Sequence, residues 1–302
     1  MRKIIKQVLL LSMVSVIFIS GGCSLLLKNK RDEESAAAVG YFKENYAKAM
    51  DYLSEGKDIE GYRTLYHIKE YDQAAKKLEE LLADDGFLQY RAAEAGYTVE
   101  FGRYEQDNDI KNGKEPIRWT VLKIYDNKLF LFADKVLDCH MFYSKIDNYY
   151  TWARSDMCKW LNGEFLSVAF LEGEREMICT TSVRTYEPYF KENEIVDCKA
   201  FLISRDEYYA FRDENMNSDN GIYDKLGTIE VSAYARYRYR EAIKDKNSYI
   251  SSYHYAFRSQ GDYGLYFCYT NSDSKKGPSV GENGIVATFC VRPAIWVDIQ
   301  GE

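Results

Sequence analysis

The chain has 302 residues, a net charge of −7 and 46% apolar side chains. That length suggests about two domains of roughly 100–200 residues each, and the apolar share excludes wholesale disorder. The acidic balance, with no basic cluster beyond the N-terminus, argues against nucleic acid as a partner. Tyrosine is abundant, at 27 residues, and its apolar body with a polar tip suits half-buried strands and binding faces alike.

Met1-Arg2-Lys3-Ile4-Ile5-Lys6 is a short cationic start, and the run from Val8 to Ser20 is apolar. This run is shorter than the roughly 20 residues that span a bilayer, so residues 1–23 have the shape of a secretory signal. Gly21-Gly22-Cys23 resembles a bacterial lipoprotein lipobox, in which Cys23 is lipidated and becomes the new N-terminus. That resemblance implies an exported protein, lipid-anchored to the cell membrane through Cys23 and facing outside. An ordinary signal peptide and an uncleaved anchor are the alternatives. Residues 24–40 include the polar, aperiodic Lys28-Asn29-Lys30-Arg31-Asp32-Glu33-Glu34-Ser35 and are expected to be a tether.

Residues 41–95 are expected to be a small α-helical hairpin module. Tyr46 to Leu53 has apolar residues at helical spacing, punctuated by Gly56. Ile59 to Ile68 continues with Tyr62, Leu65 and Tyr66 on one side. Tyr71 to Leu82 is strongly amphipathic and stops near Asp84-Asp85-Gly86. The Tyr71-x-x-Ala74-Ala75 step resembles tetratricopeptide packing, where a small residue lets helices approach. Stacks of such repeats usually need three or so, so a spacer is the simpler reading and a peptide-binding repeat surface the sharper one.

Residues 96–302 read as an α+β domain. Tyr97–Tyr104 alternates as a strand. Ile117–Ile124 and Lys128–Ala133 form a hairpin about Asp126-Asn127. Met157, Trp160, Leu161, Phe165 and Val168 mark a helix interrupted near Gly163, and Leu171–Met177 a short helical turn. Val196–Ile203 is strand-like, Ser204-Arg205-Asp206-Glu207 has capping-box form and starts a helix through Phe211, and Val231–Ile243 is a further helix. Strands resume at Tyr253–Arg258, Leu265–Tyr269 and Ile285–Val297, the last broken by the Arg292-Pro293 step.

Several stretches in this domain carry a resemblance. Val99-Glu100-Phe101-Gly102-Arg103-Tyr104, Pro116 to Leu122, Leu137-Asp138-Cys139, Thr151 to Leu166 and Val291-Arg292-Pro293-Ala294-Ile295-Trp296-Val297 together resemble the uncharacterised bacterial family "domain of unknown function 6273". Where that family has Trp-Trp-Leu-Arg-Ser-Pro-Gly, this chain has Tyr255-Ala256-Phe257-Arg258-Ser259-Gln260-Gly261. The resemblance implies an exported protein of Gram-positive bacteria. Its C-terminal pattern is similar to C-type-lectin-like and formylglycine-generating-enzyme-like domains, in which the first and last strands pair and irregular loops present a binding surface.

The candidate chemistry is sparse. Trp119, Trp152, Trp160 and Trp296 sit among apolar neighbours and read as core rather than as ligand platforms. Arg258 and Arg292 are expected to satisfy loop carbonyls with their fixed fork of donors, with anion binding as the alternative. His67, His140 and His254 show no metal-ligand spacing, and no metal or other cofactor is assigned. Six cysteines besides Cys23 permit fifteen full disulfide connectivities, but most lie in apolar stretches, which favours free thiols. Asp213 to Asp224 places oxygens at alternate positions as calcium loops do, yet Ser218 stands where the sharp turn wants glycine; a plain polar loop is the simpler reading. No acid pair for glycoside hydrolysis can be singled out. The segment from Gly261 to Asn283 mixes Tyr, Ser and Asn as adaptable recognition loops do, making Tyr263, Tyr266, Tyr269, Asn271 and Asp273 the candidate ligand-binding residues. The reading is a cell-surface lipoprotein with a non-catalytic binding module for a glycan, peptide or protein ligand. The alternatives are an extracellular enzyme, either a hydrolase or a modifier of exported proteins, and a structural envelope protein.

Overall fold

The computed structural model describes residues 23–145, 151–187, 192–243, 254–260, 265–270, 278–283 and 288–300, with the backbone alone over 23–35 and between 260 and 283. The chain divides into two compact units, Met1–Ala93 and Glu94–Glu302.

The first unit is helical: α1 (Cys23–Ser54), α2 (Asp58–His67), α3 (Asp72–Asp84) and the single turn α4 (Leu88–Arg91). Three full-sized helices replace the expected hairpin. The expected tether at 24–40 lies within α1 instead. Its leucines, Lys, Arg, Glu and the run Ala36-Ala37-Ala38 are good helix formers with no proline to interrupt them, so intrinsic propensity makes a helix where apolar periodicity gave no sign of one. Gly56, at φ +73°, ends α1. The N–H of Lys57 returns to the Tyr52 carbonyl and that of Gly56 to Leu53, the paired bonds of a Schellman stop. Ala49, Tyr62, Leu65, Ile68, Ala74 and Leu78 form the core. At Gly61 α1 and α2 approach closely: a Cβ there would come within 2.6 Å of the Leu53 side chain, which would have to shift. Among the described residues no helix is long and apolar enough to cross a membrane.

The second unit is α+β, with two five-stranded sheets. The first has the order β1 (Thr98–Tyr104), β2 (Glu115–Tyr125), β3 (Lys128–Ala133), β14 (Ala294–Asp298), β8 (Ala200–Phe201). The β2–β3 turn has positive φ at both Asp126 and Asn127, as the tight hairpin turn that matches strand twist requires. β1 carries a bulge between Glu100 and Arg103. Gly102 sits in it at φ +71°, where a Cβ would strike the Phe170 ring at 2.5 Å, and the Phe101 carbonyl accepts from the Trp119 indole at 2.7 Å. The opening and closing strands share this sheet but do not pair: β1 bonds to β2, and β14 lies between β3 and β8. The expected pairing of first and last strands is thereby corrected. The β2–β3 hairpin is locally closed and takes the position beside β14 that a distant β1 would otherwise have to reach.

The second sheet has the order β12 (Pro278–Asn283), β11 (Leu265–Thr270), β10 (His254–Gln260), β13 (Thr288–Val291), β5 (Asp138–Met141). β3 and β14 pair in the first sheet; β5 and β13, their chain neighbours, pair in the second. An antiparallel ribbon therefore passes from one sheet to the other, bending at residues 133–138 and 291–293. At the bend the N–H of Ala133 donates to the Pro293 carbonyl and that of Leu137 to the Val291 carbonyl. Arg292 is fully buried. It donates through Nε to the Ala133 carbonyl at 2.6 Å, and through its terminal nitrogens to those of Lys225 and Thr228. Its guanidinium lies 4.2 Å over the Phe132 ring. The remaining pieces frame these sheets: β4 (Lys135–Val136) pairs with β9 (Glu230–Val231), and β6 (Thr181–Glu187) with β7 (Glu192–Cys198). The helices are α5 (Asp156–Trp160), continued by a π-helical turn at Leu161–Phe165 and by α6 (Leu166–Ala169), then α7 (Glu172–Met177), α8 (Arg205–Asn215), α9 (Ile222–Gly227) and α10 (Ala233–Ile243).

One buried carboxylate anchors β5. Asp138 accepts from the Tyr104 hydroxyl at 2.6 Å, the Cys139 N–H at 2.6 Å and Arg238 Nε at 3.1 Å, with His140 Nε2 at 3.5 Å. Burial alone would push its carboxyl up. The hydrogen bonds and charges of His140, Tyr104 and Arg238 outweigh that and hold it below the ordinary carboxylate value.

Two outcomes are expected. Arg292→Met leaves the buried Ala133 carbonyl and the part-buried carbonyls of Lys225 and Thr228 without this donor and should cost roughly 3 kcal/mol or more in denaturant unfolding, and Arg292→Lys should recover little of it because a single ammonium lacks the fork. A loss under about 1 kcal/mol for the Met variant would contradict the role given to this guanidinium. Because the folded Asp138 carboxyl is depressed, its contribution is whole above the unfolded value near pH 4 and is lost as pH falls through the folded value. Asp138→Asn should cost about 2–4 kcal/mol at pH 7 and flatten the acid limb of the stability curve; an unchanged acid limb would refute the assignment.

Candidate functional site

Strand periodicity builds an aromatic floor on one face of the first sheet. Phe130 and Trp296 are register partners across β3 and β14, with rings stacked at 4.9 Å and 16°. The alternate residues Leu129, Leu131, Ile295 and Val297 turn to the other face and are completely buried. Phe201 of β8 stacks on Phe130 at 5.9 Å, and Phe211 of α8 packs against it at 5.5 Å. Phe130 and Phe201 are buried, whereas Trp296 and Phe211 remain half-buried. They line a cleft of about 620 Å³.

The β6–β7 hairpin forms one wall of the cleft and the first turn of α8 another. In β6, Val183 and Thr185 point inward while Ser182, Arg184 and Tyr186 are exposed. Thr185 lines the cleft, and its hydroxyl is buried with no hydrogen-bond partner among the described residues. Such groups are scarce in folded chains and call for an explanation. α8 begins as its sequence signature predicts: the Ser204 hydroxyl accepts from the Glu207 N–H at 3.0 Å, and the Glu207 carboxylate accepts from the Ser204 N–H at 2.8 Å.

Arg258 ties the walls together. Both its terminal nitrogens donate to the two Glu207 oxygens at 2.6 Å. The same guanidinium donates to the Leu202 carbonyl at 2.6 Å and to that of Arg184 at 3.3 Å. Arg258 thus links β10, α8, β6 and the segment after β8. The fork makes this possible. Glu207 is thereby saturated by a cation and a backbone amide, which suits a fixed wall better than a proton-transfer group.

The residues singled out in the sequence fall out as follows. Trp119 and Trp152 are fully buried, and Trp160 is nearly so, with His140 stacked on it at 3.9 Å. Trp296 is the correction: it was expected in the core and instead forms part of the cleft floor, because β14 lies one strand from the sheet edge where the hairpin stands off. Of the candidate ligand-binding residues, Tyr266 and Tyr269 lie on β11, while Tyr263, Asn271 and Asp273 are outside the described residues. Cys23 opens α1. In the calcium-like segment, Asp213 and Asn215 belong to α8, Asp213 pairs with Arg212, and Asn220 accepts from the Ile222 N–H at the start of α9. The Asn215 oxygen accepts from the Asn220 amide at 2.7 Å, so these oxygens are taken up by neighbouring protein donors. One acidic group that the sequence did not advertise, Glu105, Asp107 and Glu115, brings carboxylate oxygens within 4.8 Å of one another. There Asp107 is engaged by the Asp109 N–H and Asn112, and Glu115 by the Gln106 N–H.

Strand β6 was missed by sequence reading, and of its partner β7 only the end fell within the strand expected at Val196–Ile203. The alternation of Val183 and Thr185 with exposed neighbours, followed by Ile195-Val196, is the signal that could have found them.

A family model described as "Domain of unknown function (DUF6273)" matches residues 126–299. The match begins in the β2–β3 turn and leaves out β1 and β2, although both are hydrogen-bonded into the same sheet. No curated protein and no solved structure matches the chain. The matched residues hold the whole cleft apart from Lys123, and with it the bent ribbon and its buried arginines. Spanning more than half of the 302 residues, this match shows that the chain belongs to the DUF6273 family.

Proposed function

We propose that this protein is a cell-surface lipoprotein whose second unit is a non-catalytic binding module, and that the aromatic-floored cleft takes its ligand. The observation that carries the reading is the pairing of two half-buried rings, Trp296 and Phe211, with a buried hydroxyl on Thr185 that has no partner among the described residues. Binding sites combine an apolar surface with a few placed polar groups in this way. Of a glycan, a peptide and a protein segment, a glycan suits this lining best. A sugar offers C–H faces to stacked rings and hydroxyls to Thr185, Arg184 and Asn193 in the walls. A C-type-lectin-like relationship accords with the ligand class and rests on sequence resemblance. The cationic start, the apolar run and Cys23 support export and lipid anchoring, and the helical first unit, tetratricopeptide-like at Tyr71–Ala75, would serve as the spacer.

Binding to glycan and peptide arrays tests the site. The purified chain should retain glycans, and Trp296→Ala should weaken retention roughly tenfold or more without a change in melting temperature comparable to that of core variants. Retention of peptides alone would overturn the ligand class, and binding indifferent to Trp296→Ala, Phe211→Ala and Thr185→Val would overturn the site. Anchoring is tested separately: metabolic labelling with a fatty-acid analogue should mark the wild-type chain and not Cys23→Ala, and label persisting in the variant would exclude Cys23 as the lipidated residue.

A further inference from the structure

Two pairs of cysteines, distant in the chain, meet sulfur to sulfur in the second unit. Cys139 and Cys290 are register partners on the antiparallel strands β5 and β13, 151 residues apart, with sulfurs 3.0 Å from each other. Non-bonded carbon atoms settle at about 3.5–4.0 Å, and sulfur is larger, so this approach is already closer than ordinary contact. Antiparallel register partners have Cα atoms about 4.5–5.5 Å apart, inside the roughly 4.4–6.8 Å that a disulfide bridges. Cys158, in the first turn of α5, and Cys198, the last residue of β7, are 40 residues apart with sulfurs at 3.8 Å. All four side chains are buried. Cys179 is only half-buried, and its sulfur lies 4.0 Å from the Met177 carbonyl.

We infer that Cys139–Cys290 and Cys158–Cys198 are disulfide sites, closed by exchange with a small disulfide oxidant while the chain folds. In each, one cysteine thiolate attacks a sulfur of the oxidant and expels a thiolate, giving a mixed disulfide. The second cysteine, having lost its proton to solvent, attacks the protein sulfur of that bond and expels the other thiolate. Two protein thiols are oxidised and one small disulfide is reduced to two thiols. Of the fifteen connectivities open to six cysteines, the fold thus selects two bonds. The first would lock the ribbon beyond its bend. The second would tie the end of the cleft's hairpin wall to α5. At this second site contact with Cys158, together with Trp152 and the Arg258 charge and against the effect of burial, lowers the Cys198 thiol below its ordinary value. That shift favours the Cys198 thiolate, which is the form that attacks. Burial, reinforced by Cys290, pushes the Cys139 thiol up.

The full chain, unfolded and reduced, would be refolded in a mixture of reduced and oxidised glutathione, quenched in acid, alkylated under denaturing conditions and mapped as non-reduced peptides by mass spectrometry. The expected result is two cross-linked peptides, one joining Cys139 to Cys290 and one joining Cys158 to Cys198. Reduction should lower Tm by about 5–15 °C. Cys139→Ala should release Cys290 to alkylation and leave Cys158–Cys198 linked, and Cys158→Ala should do the converse, so that a folding defect in one variant does not obscure the other bond. Complete alkylation of all four cysteines, or linkage of any of them to Cys179 or Cys268, would overturn the proposal.

Discussion

The second unit depends on how the chain changes sheet. A buried guanidinium, Arg292, sits where the β3/β14 ribbon becomes the β5/β13 ribbon, and its donors take carbonyls of Ala133, Lys225 and Thr228. A bend in a paired ribbon removes backbone groups from their ladder, and buried groups of that kind must be satisfied by something. Pro293, which has no N–H to leave stranded, is suited to the position that follows. The bend sets the arrangement of the two sheets, and the first of these carries Phe130 and Trp296 to the cleft. The same device appears at the cleft itself, where Arg258 holds β10, α8 and β6 at fixed separations through Glu207 and two carbonyls. Two buried arginines, one at the bend and one in β10, do the joining that ladder hydrogen bonds do within a sheet.

Much of the fold was legible because local signals agreed with the final structure. The Asp126-Asn127 turn, the Ser204–Glu207 capping box, the interruption near Gly163 and the break at Arg292-Pro293 all appear where the residues imply them. What local signals could not give was which strand lies beside which. Alternation identifies a strand without naming its neighbour, so the expected pairing of β1 with the closing strand gave way to β14 beside β3 and β8. The first stretch of α1 was illegible for a different reason: helix propensity without an amphipathic stripe reads like a polar linker.

The site was less legible than the fold. The cleft draws residues from β2, β3, β6, β7, β8, α8, β10 and β14, and no spacing in the sequence announces such a gathering. Trp296 looked like core because every neighbour in its strand is apolar; its partial exposure follows from its place near a sheet edge, a property of topology. Thr185 is one hydroxyl among many until its burial is known. Arg258 and Arg292 were legible in role, because long-range satisfaction of carbonyls is what a buried guanidinium in a loop-rich domain is for.

The π-helical turn after α5 has a consequence of its own. It presents Asn162 to the outer side of β8, where the side-chain amide donates to the Ala200 carbonyl at 2.9 Å and accepts from the N–H groups of Lys199 and Ala200 at 2.8 and 3.1 Å. β8 is the terminal strand of its sheet, and its unpaired backbone would be a template for another chain. A single amide side chain takes the place of a neighbouring strand there, which blocks edge-to-edge pairing with another chain.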